Sequence, residues 1–376
     1  MIECVLSKRL DLVIDSSEMF RSNRKHNTRR LKMKALLKIK EGLNGVELLE
    51  IEEPMVKSLE LKVKIHAAGI CGTDMHIIHD EYSCNWPVVL GHEYSGTVVE
   101  IGSKVTDFQI GDRVVSLTAA VKCEDCMYCR SGLYMLCEER LSIGSGVNGA
   151  FAEYMVIPEK IAFKIPDNVT LDEAVLTEPL ACMVRCVIER ATVKAGDYVL
   201  VSGPGTIGLL TMQVAKASGG NVIVIGTSQD KDRLKLALEL GAFATVIIDK
   251  EDVQEKISKL TDNLGVDVAF ECAGVSPSAN NCLKLLKKTG LYVQVGLYGK
   301  KVDFDMDLAL TKEITITNGF ASEPTSWERA LRLLAMKQVN VAPLISTKWP
   351  LEDWKKAIEM VNNKEAFKVL FVPNGE

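Results

Sequence analysis

Four cysteines, Cys123, Cys126, Cys129 and Cys137, follow the spacing C-x2-C-x2-C-x7-C. That spacing lets one short loop wrap four thiolates tetrahedrally around a single zinc ion. Four thiolates close the coordination shell, so no position remains for water or substrate and the expected role is structural. Binding of this kind contributes about 10 kcal/mol or more to the ordering of small zinc modules. A nucleic-acid-binding zinc ribbon is disfavoured, because Glu124, Asp125, Glu138 and Glu139 flank the thiolates and would repel phosphate. Four cysteines that were merely small buried residues would not fall so close together in a chain with 11 cysteines in 376 residues.

A second metal-binding set lies upstream. Cys71, in Cys71-Gly-Thr-Asp, and Gly91-His92-Glu93 supply residue types that suit zinc, and their separation requires two turns or strands to converge. Gly91 gives His92 backbone freedom, and Glu93 offers either a direct ligand or an outer hydrogen-bond acceptor. Glu178, in Thr177-Glu-Pro-Leu180, could close the same site, or could be a carboxylate favoured by a helix N-terminus. His26, His66 and His79 read as solvent or packing residues.

Composition narrows the function classes. The chain is 47% apolar and 25% charged, long enough for two domains with real cores. A net charge of −5 argues against nucleic acid as a partner. No apolar run approaches the roughly 18 to 20 residues of a membrane span, and the N-terminus lacks an apolar signal core. Cysteines grouped at metal spacing in a long chain fit a reducing cytoplasm better than a secreted disulfide scaffold. Residues 1–32 carry a basic cluster, Arg21, Arg24, Lys25, Arg29, Arg30 and Lys32, and read as an extension outside the core. Their acidic residues are unusual for a transit peptide.

The fold class is α/β. From Met33 to about Pro166, short alternating runs such as Leu61–Ile65 and Thr97–Ile101 are broken by glycine turns, predicting small antiparallel sheets. From Asp197 onward, apolar runs at 198–202, 222–225, 245–248, 266–270 and 291–295 alternate with helical-length segments. This is the pattern of a parallel sheet covered on both faces. A helix over 233–240 stops at Gly241, and an amphipathic helix over 327–336 and a final strand over 368–372 follow.

Gly203-Pro-Gly205-Thr206-Ile207-Gly208 follows the first of these apolar strands and opens a helix to about Ser218. In that context the glycines let a dinucleotide pyrophosphate approach backbone amides and a helix N-terminus. At the end of the second strand an NAD site usually places an acidic residue, whereas this chain reads Gly226-Thr227-Ser228 with Lys231 and Arg233 nearby. These residues would tolerate a 2′-phosphate, which places NADP ahead of NAD, although Asp230 could reach the ribose if the turn is long.

Carried by Cys71-Gly-Thr-Asp-Met-His76, Gly91–Gly96, Gly111-Asp-Arg-Val114, the cysteine lobe, Thr177–Leu180, Ser202–Gly208 and Glu271–Gly274, the chain resembles the zinc-dependent medium-chain dehydrogenase/reductase family from Met33 to near the C-terminus. Its polyol and threonine dehydrogenase branches are the most similar. The resemblance implies a GroES-like catalytic domain (33–183 and 319–376) with an inserted Rossmann domain (184–318). It implies two zinc ions per chain, the catalytic one held by Cys71, His92 and either Glu93 or Glu178. It places Thr73 and His76 at a hydroxyl and proton relay, in which an imidazole suits a shuttle near neutral pH, and implies a homo-oligomer, tetramer or dimer. The implied reaction is reversible oxidation of a secondary alcohol, a polyol or polyol phosphate, with oxidation of the β-hydroxyl of threonine as the alternative. A nucleotide-binding regulator without turnover, and a zinc-free quinone or enone reductase, fit less well. Where sorbitol-type enzymes carry an Arg-Tyr pair, this chain has Phe320-Ala321.

Overall fold

Alternating strands and helices between Asp197 and Asn318 build one parallel sheet. The computed structural model describes residues 31–375, so the N-terminal extension expected over 1–32 lies outside it except for Leu31 and Lys32. Lys32 already pairs with Glu52, so the first strand, Lys32–Lys38, starts one residue before Met33. The parallel sheet has six strands, in the order Ala244–Ile247, Asn221–Gly226, Tyr198–Ser202, Val266–Glu271, Leu286–Gln294 and Thr315–Asn318. Numbered by their sequence within the sheet this is 3-2-1-4-5-6, the doubly wound arrangement whose crevice opens where the order reverses, between the first and fourth strands. Val199, Val201, Val224 and Phe270 are fully buried on it, as strands covered on both faces require.

The remainder of the described chain is mainly antiparallel. A seven-stranded sheet runs Ala162–Lys164, Arg113–Ser116, Glu93–Ile101, Glu60–Gly69, Lys368–Phe371 and Ile345–Trp349, with Tyr154–Pro158 also paired to Glu60–Gly69. Lys368–Phe371, the final strand of the chain, is inserted between two others rather than added at the edge. Leu370 lies opposite Gly69 and Phe371 opposite Ala68, while Gly69 lies opposite Glu93 on its other side. Three distant stretches of chain thus meet at the end of one strand. Phe371 is fixed there by an edge-on contact with Phe151 at 4.9 Å between ring centres.

Candidate active site

Cys71 is the N-cap of the short helix Gly72–Ile78, and its backbone N–H donates to Asp74 Oδ2 at 2.8 Å. The other Asp74 oxygen accepts from Gly91 N at 3.2 Å and lies 3.6 Å from His92 Nδ1. Asp74 is fully buried, so one carboxylate joins the Cys71 turn to the His92 turn. Sequence reasoning missed this residue, yet a polar N-cap followed three residues later by an acid is a readable capping signal. At Gly91 the backbone turns with φ of 88°, and a Cβ would lie 2.3 Å from Phe151 Cδ1, so only glycine presents His92 here. Burial alone would push the His92 imidazole down, but Asp74 and Cys71 hold it well above the usual histidine range.

The sulfur of Cys71, a ring nitrogen of His92 and a carboxylate oxygen of Glu93 all lie within 4.8 Å of one another. A tetrahedral zinc at ordinary bond lengths holds such donors about 3.4–3.6 Å apart, so small side-chain rotations suffice and the donor set fits the ion. Behind Glu93 stands a second residue that sequence pattern did not single out. Lys368 Nζ donates to both Glu93 oxygens, at 2.9 and 2.6 Å, and to Ile70 O at 3.0 Å, with both side chains buried. Lys368→Met leaves this carboxylate without its counter-charge and is expected to cost about 3–5 kcal/mol, read from urea unfolding, with Lys368→Arg losing less.

Glu178, in the first turn of Thr177–Val184, is buried on the same wall of the cleft. Burial raises its carboxyl above the usual range, as does Glu93, while His92 and Lys368 pull it down. Its hydrogen-bond partner is the Cys182 thiol, which donates at 3.6 Å. Thr73 Oγ1 lies 3.8 Å from Cys71 Sγ. His76 Nδ1 meets Glu81 Oε2 at 2.5 Å, which orients the ring at the cleft mouth. Thr73 and His76 both line a cleft of about 420 Å³ together with Cys71, His92, Glu93 and Glu178.

Cys123, Cys126, Cys129 and Cys137 form a separate cluster, their sulfurs within 4.8 Å of one another. The Cys123 sulfur is 3.8 Å from that of Cys129 and 3.6 Å from that of Cys137. Tetrahedral Zn–S bonds of about 2.3 Å require S···S separations of about 3.8 Å, so the loop is shaped for the ion. Backbone amides of Cys126 and Cys129 point at the sulfurs of Cys123 and Cys126, at 3.2 and 3.4 Å, which stabilises thiolates.

The glycine-rich turn lies at the crevice of the parallel sheet. A Cβ on Gly208 would sit 1.9 Å from Gly203 O, and one on Gly203 would sit 2.9 Å from Ala273, so glycine is needed at both. Ile207, Cys272, Ala273 and Gly274 line the same cleft as Cys71, His92 and Glu93. Thr206 uses its hydroxyl on Phe367 O at 2.7 Å, leaving its backbone amide at the mouth of the helix Thr206–Ala217. The Arg233 guanidinium would lie 3.8 Å from a Cβ on Gly205, held by Lys364 O at 3.1 Å and by the Phe367 ring. The turn after the second strand is less neutral than its sequence suggests. Ser228 donates through its amide and hydroxyl to Asp249, at 2.7 and 2.5 Å, and Thr227 does so to Asp230, at 3.0 and 2.8 Å. Asp249 comes from the neighbouring strand end, so no local pattern around Gly226 could reveal it.

Comparison with known proteins decides the family. Residues 57–167 match the alcohol dehydrogenase GroES-like domain, and residues 206–336 match the zinc-binding dehydrogenase domain. The chain is 40% identical to a sorbitol dehydrogenase of Halalkalibacterium halodurans over 91% of this chain and 99% of that one. The chain belongs to the zinc-binding alcohol dehydrogenase family. This dehydrogenase is also 36% identical to a D-arabitol-phosphate dehydrogenase of Enterococcus avium, covering 92% of this chain and 98% of that one. A crystal structure of a zinc-binding dehydrogenase from Sinorhizobium meliloti bound to NADP superposes with a TM-score of 0.84 at 34% identity, covering 92% of this chain and all of that one. The dehydrogenase is therefore an NAD(P)-dependent zinc enzyme with a small-molecule alcohol as substrate. No helix among its described residues is long and apolar enough to cross a membrane.

Proposed function

We propose that this dehydrogenase oxidises a secondary hydroxyl of a polyol or polyol derivative to a ketone, with Cys71, His92 and Glu93 holding the catalytic zinc and the four-cysteine lobe holding the other. The observation that carries the reading is the convergence of the Cys71, His92 and Glu93 donors with Ile207 of the glycine-rich turn and with Cys272–Gly274 on a single cleft. A zinc held by these residues would supply Lewis acidity that makes an alcohol proton easier to remove, and a nicotinamide in the crevice would supply the hydride acceptor. Thr73 accepts the proton of the reacting hydroxyl through its Oγ1 and hands it outward. His76 receives it at the cleft mouth, with Glu81 holding Nδ1 and so fixing the ring. Glu178 keeps a second carboxylate close to the ligands, screened from water by burial. The apolar walls contributed by Ile143, Met183, Val295 and Leu297 keep water from competing for the proton.

NADP is the favoured cofactor. Arg233 beside Gly205 offers a guanidinium for a 2′-phosphate, and the relative from Sinorhizobium meliloti binds NADP. Asp230 and Asp249, the carboxylates at this turn, are already engaged by Thr227 and Ser228. We also take the enzyme to be a homo-oligomer, since Thr315–Asn318 is an edge strand with Ile316 exposed, a surface that another chain can cover.

A panel of secondary polyols, their phosphate esters and L-threonine, each with NAD and NADP, tests the reading. The expected result is reduced cofactor with the polyol class and a lower KM for NADP. Turnover of threonine alone would overturn it.

A further inference from the structure

We propose that the alcohol substrate carries an anionic group, a phosphate monoester ahead of a carboxylate, and that Arg140 is the residue that receives it. This rests on the alcohol-oxidising function just proposed and names the class of alcohol. Arg140 follows the cysteine lobe directly and lines the cleft. Its Nη2 donates to Thr118 Oγ1 at 3.2 Å, its guanidinium lies 5.5 Å over the Phe320 ring, and its Nε is buried with no partner.

Arg140 combines a place in the cleft wall with a buried Nε that has no partner. Arg113, by contrast, approaches Asp167, and Arg185 is paired with Glu323. Among the described residues no carboxylate forms an ion pair with Arg140; Glu178, on the same cleft wall, acts on it by charge but makes no hydrogen bond to it. A guanidinium withdrawn from water without an anion is costly, and a protein that retains one in a substrate cleft gains from a ligand that supplies the charge. The planar donor fork matches phosphate and carboxylate alike. Ser142, Ser145 and Tyr82 add hydroxyls to the same cleft, and a phosphate, with three terminal oxygens, uses more such donors than a carboxylate. The cleft volume of about 420 Å³ accommodates a short polyol with a charged head.

The test compares kcat/KM for a pentitol, its terminal phosphate monoester and a hydroxy acid of equal chain length, in wild type, Arg140→Met and Arg140→Lys. Wild type is expected to favour the monoester over the neutral pentitol by about a hundredfold. Arg140→Met should bring that ratio close to one, with Arg140→Lys in between, at unchanged zinc content and melting temperature. Calorimetric titration of the monoester into the zinc-loaded enzyme without cofactor gives a readout independent of turnover, and the binding heat should vanish in Arg140→Met. Equal use of ester and pentitol by wild type, or a ratio that survives Arg140→Met, would overturn the proposal while leaving alcohol oxidation intact. A hydroxy acid favoured over the monoester would overturn phosphate as the group. If no alcohol is turned over, the functional reading fails and the calorimetric arm alone decides the role of Arg140.

Discussion

Cys71→Ser and His92→Ala are each expected to lower kcat by about a thousandfold or more. A metal acting as Lewis acid contributes several kcal/mol to the barrier, and each 1.36 kcal/mol is a factor of ten. The donors of these two residues and Glu93 lie within 4.8 Å of one another, so removing one opens the shell on that side. Zinc analysis alongside turnover separates a lost ion from a misplaced one: content should fall by one of the two clusters' worth per chain, with the cysteine lobe still loaded. Turnover that survives either change at wild-type level would end the assignment. Glu178→Gln is the informative companion, since this residue shares the cleft wall but pairs with Cys182.

The second large effect is expected at the cysteine lobe, and it should appear first in stability. Cys126→Ser removes one of four sulfurs that lie within 4.8 Å of one another, an arrangement that suits a tetrahedral zinc. A structural zinc contributes on the order of 10 kcal/mol in small modules, and most single domains have only about 5–15 kcal/mol of total stability. The expected result is loss of one zinc and a melting temperature lowered by ten degrees or more in a thermal scan, with protease cutting concentrated between Lys122 and Arg140. Chelation of the wild type should reproduce the pattern. A variant that melts like wild type would show that the lobe holds itself together without the ion.

Local pattern carried much of this architecture. The parallel strands were legible because a strand buried on both faces is an apolar run, and Tyr198–Ser202 has the same limits in the structure as in the sequence pattern. The two clusters of candidate donors and the glycine turn could be picked out because metal and phosphate binding need specific residue types at short spacing, and the structure brings each donor set within 4.8 Å. Lys368 was hidden for the opposite reason. It opens an ordinary final strand, and its meaning comes from pairing with Glu93, 275 residues away. Asp74 was written in a motif but its second bond, to Gly91 N, depends on how two turns meet. Asp249 reaches Ser228 only because two parallel strands end side by side. Arg140 is a single charge in a charged stretch, and only the walls of the cleft reveal that it faces inward without a carboxylate partner.

Pairing of Lys368–Phe371 with the strand Glu60–Gly69 also orders events in time. A ribosome releases Glu93 long before Lys368, and domains fold as their residues emerge. The six parallel strands, complete at Asn318, can assemble while Glu93 still waits for its lysine. The Glu93–Lys368 pair therefore cannot form until after every strand of the parallel sheet has been made.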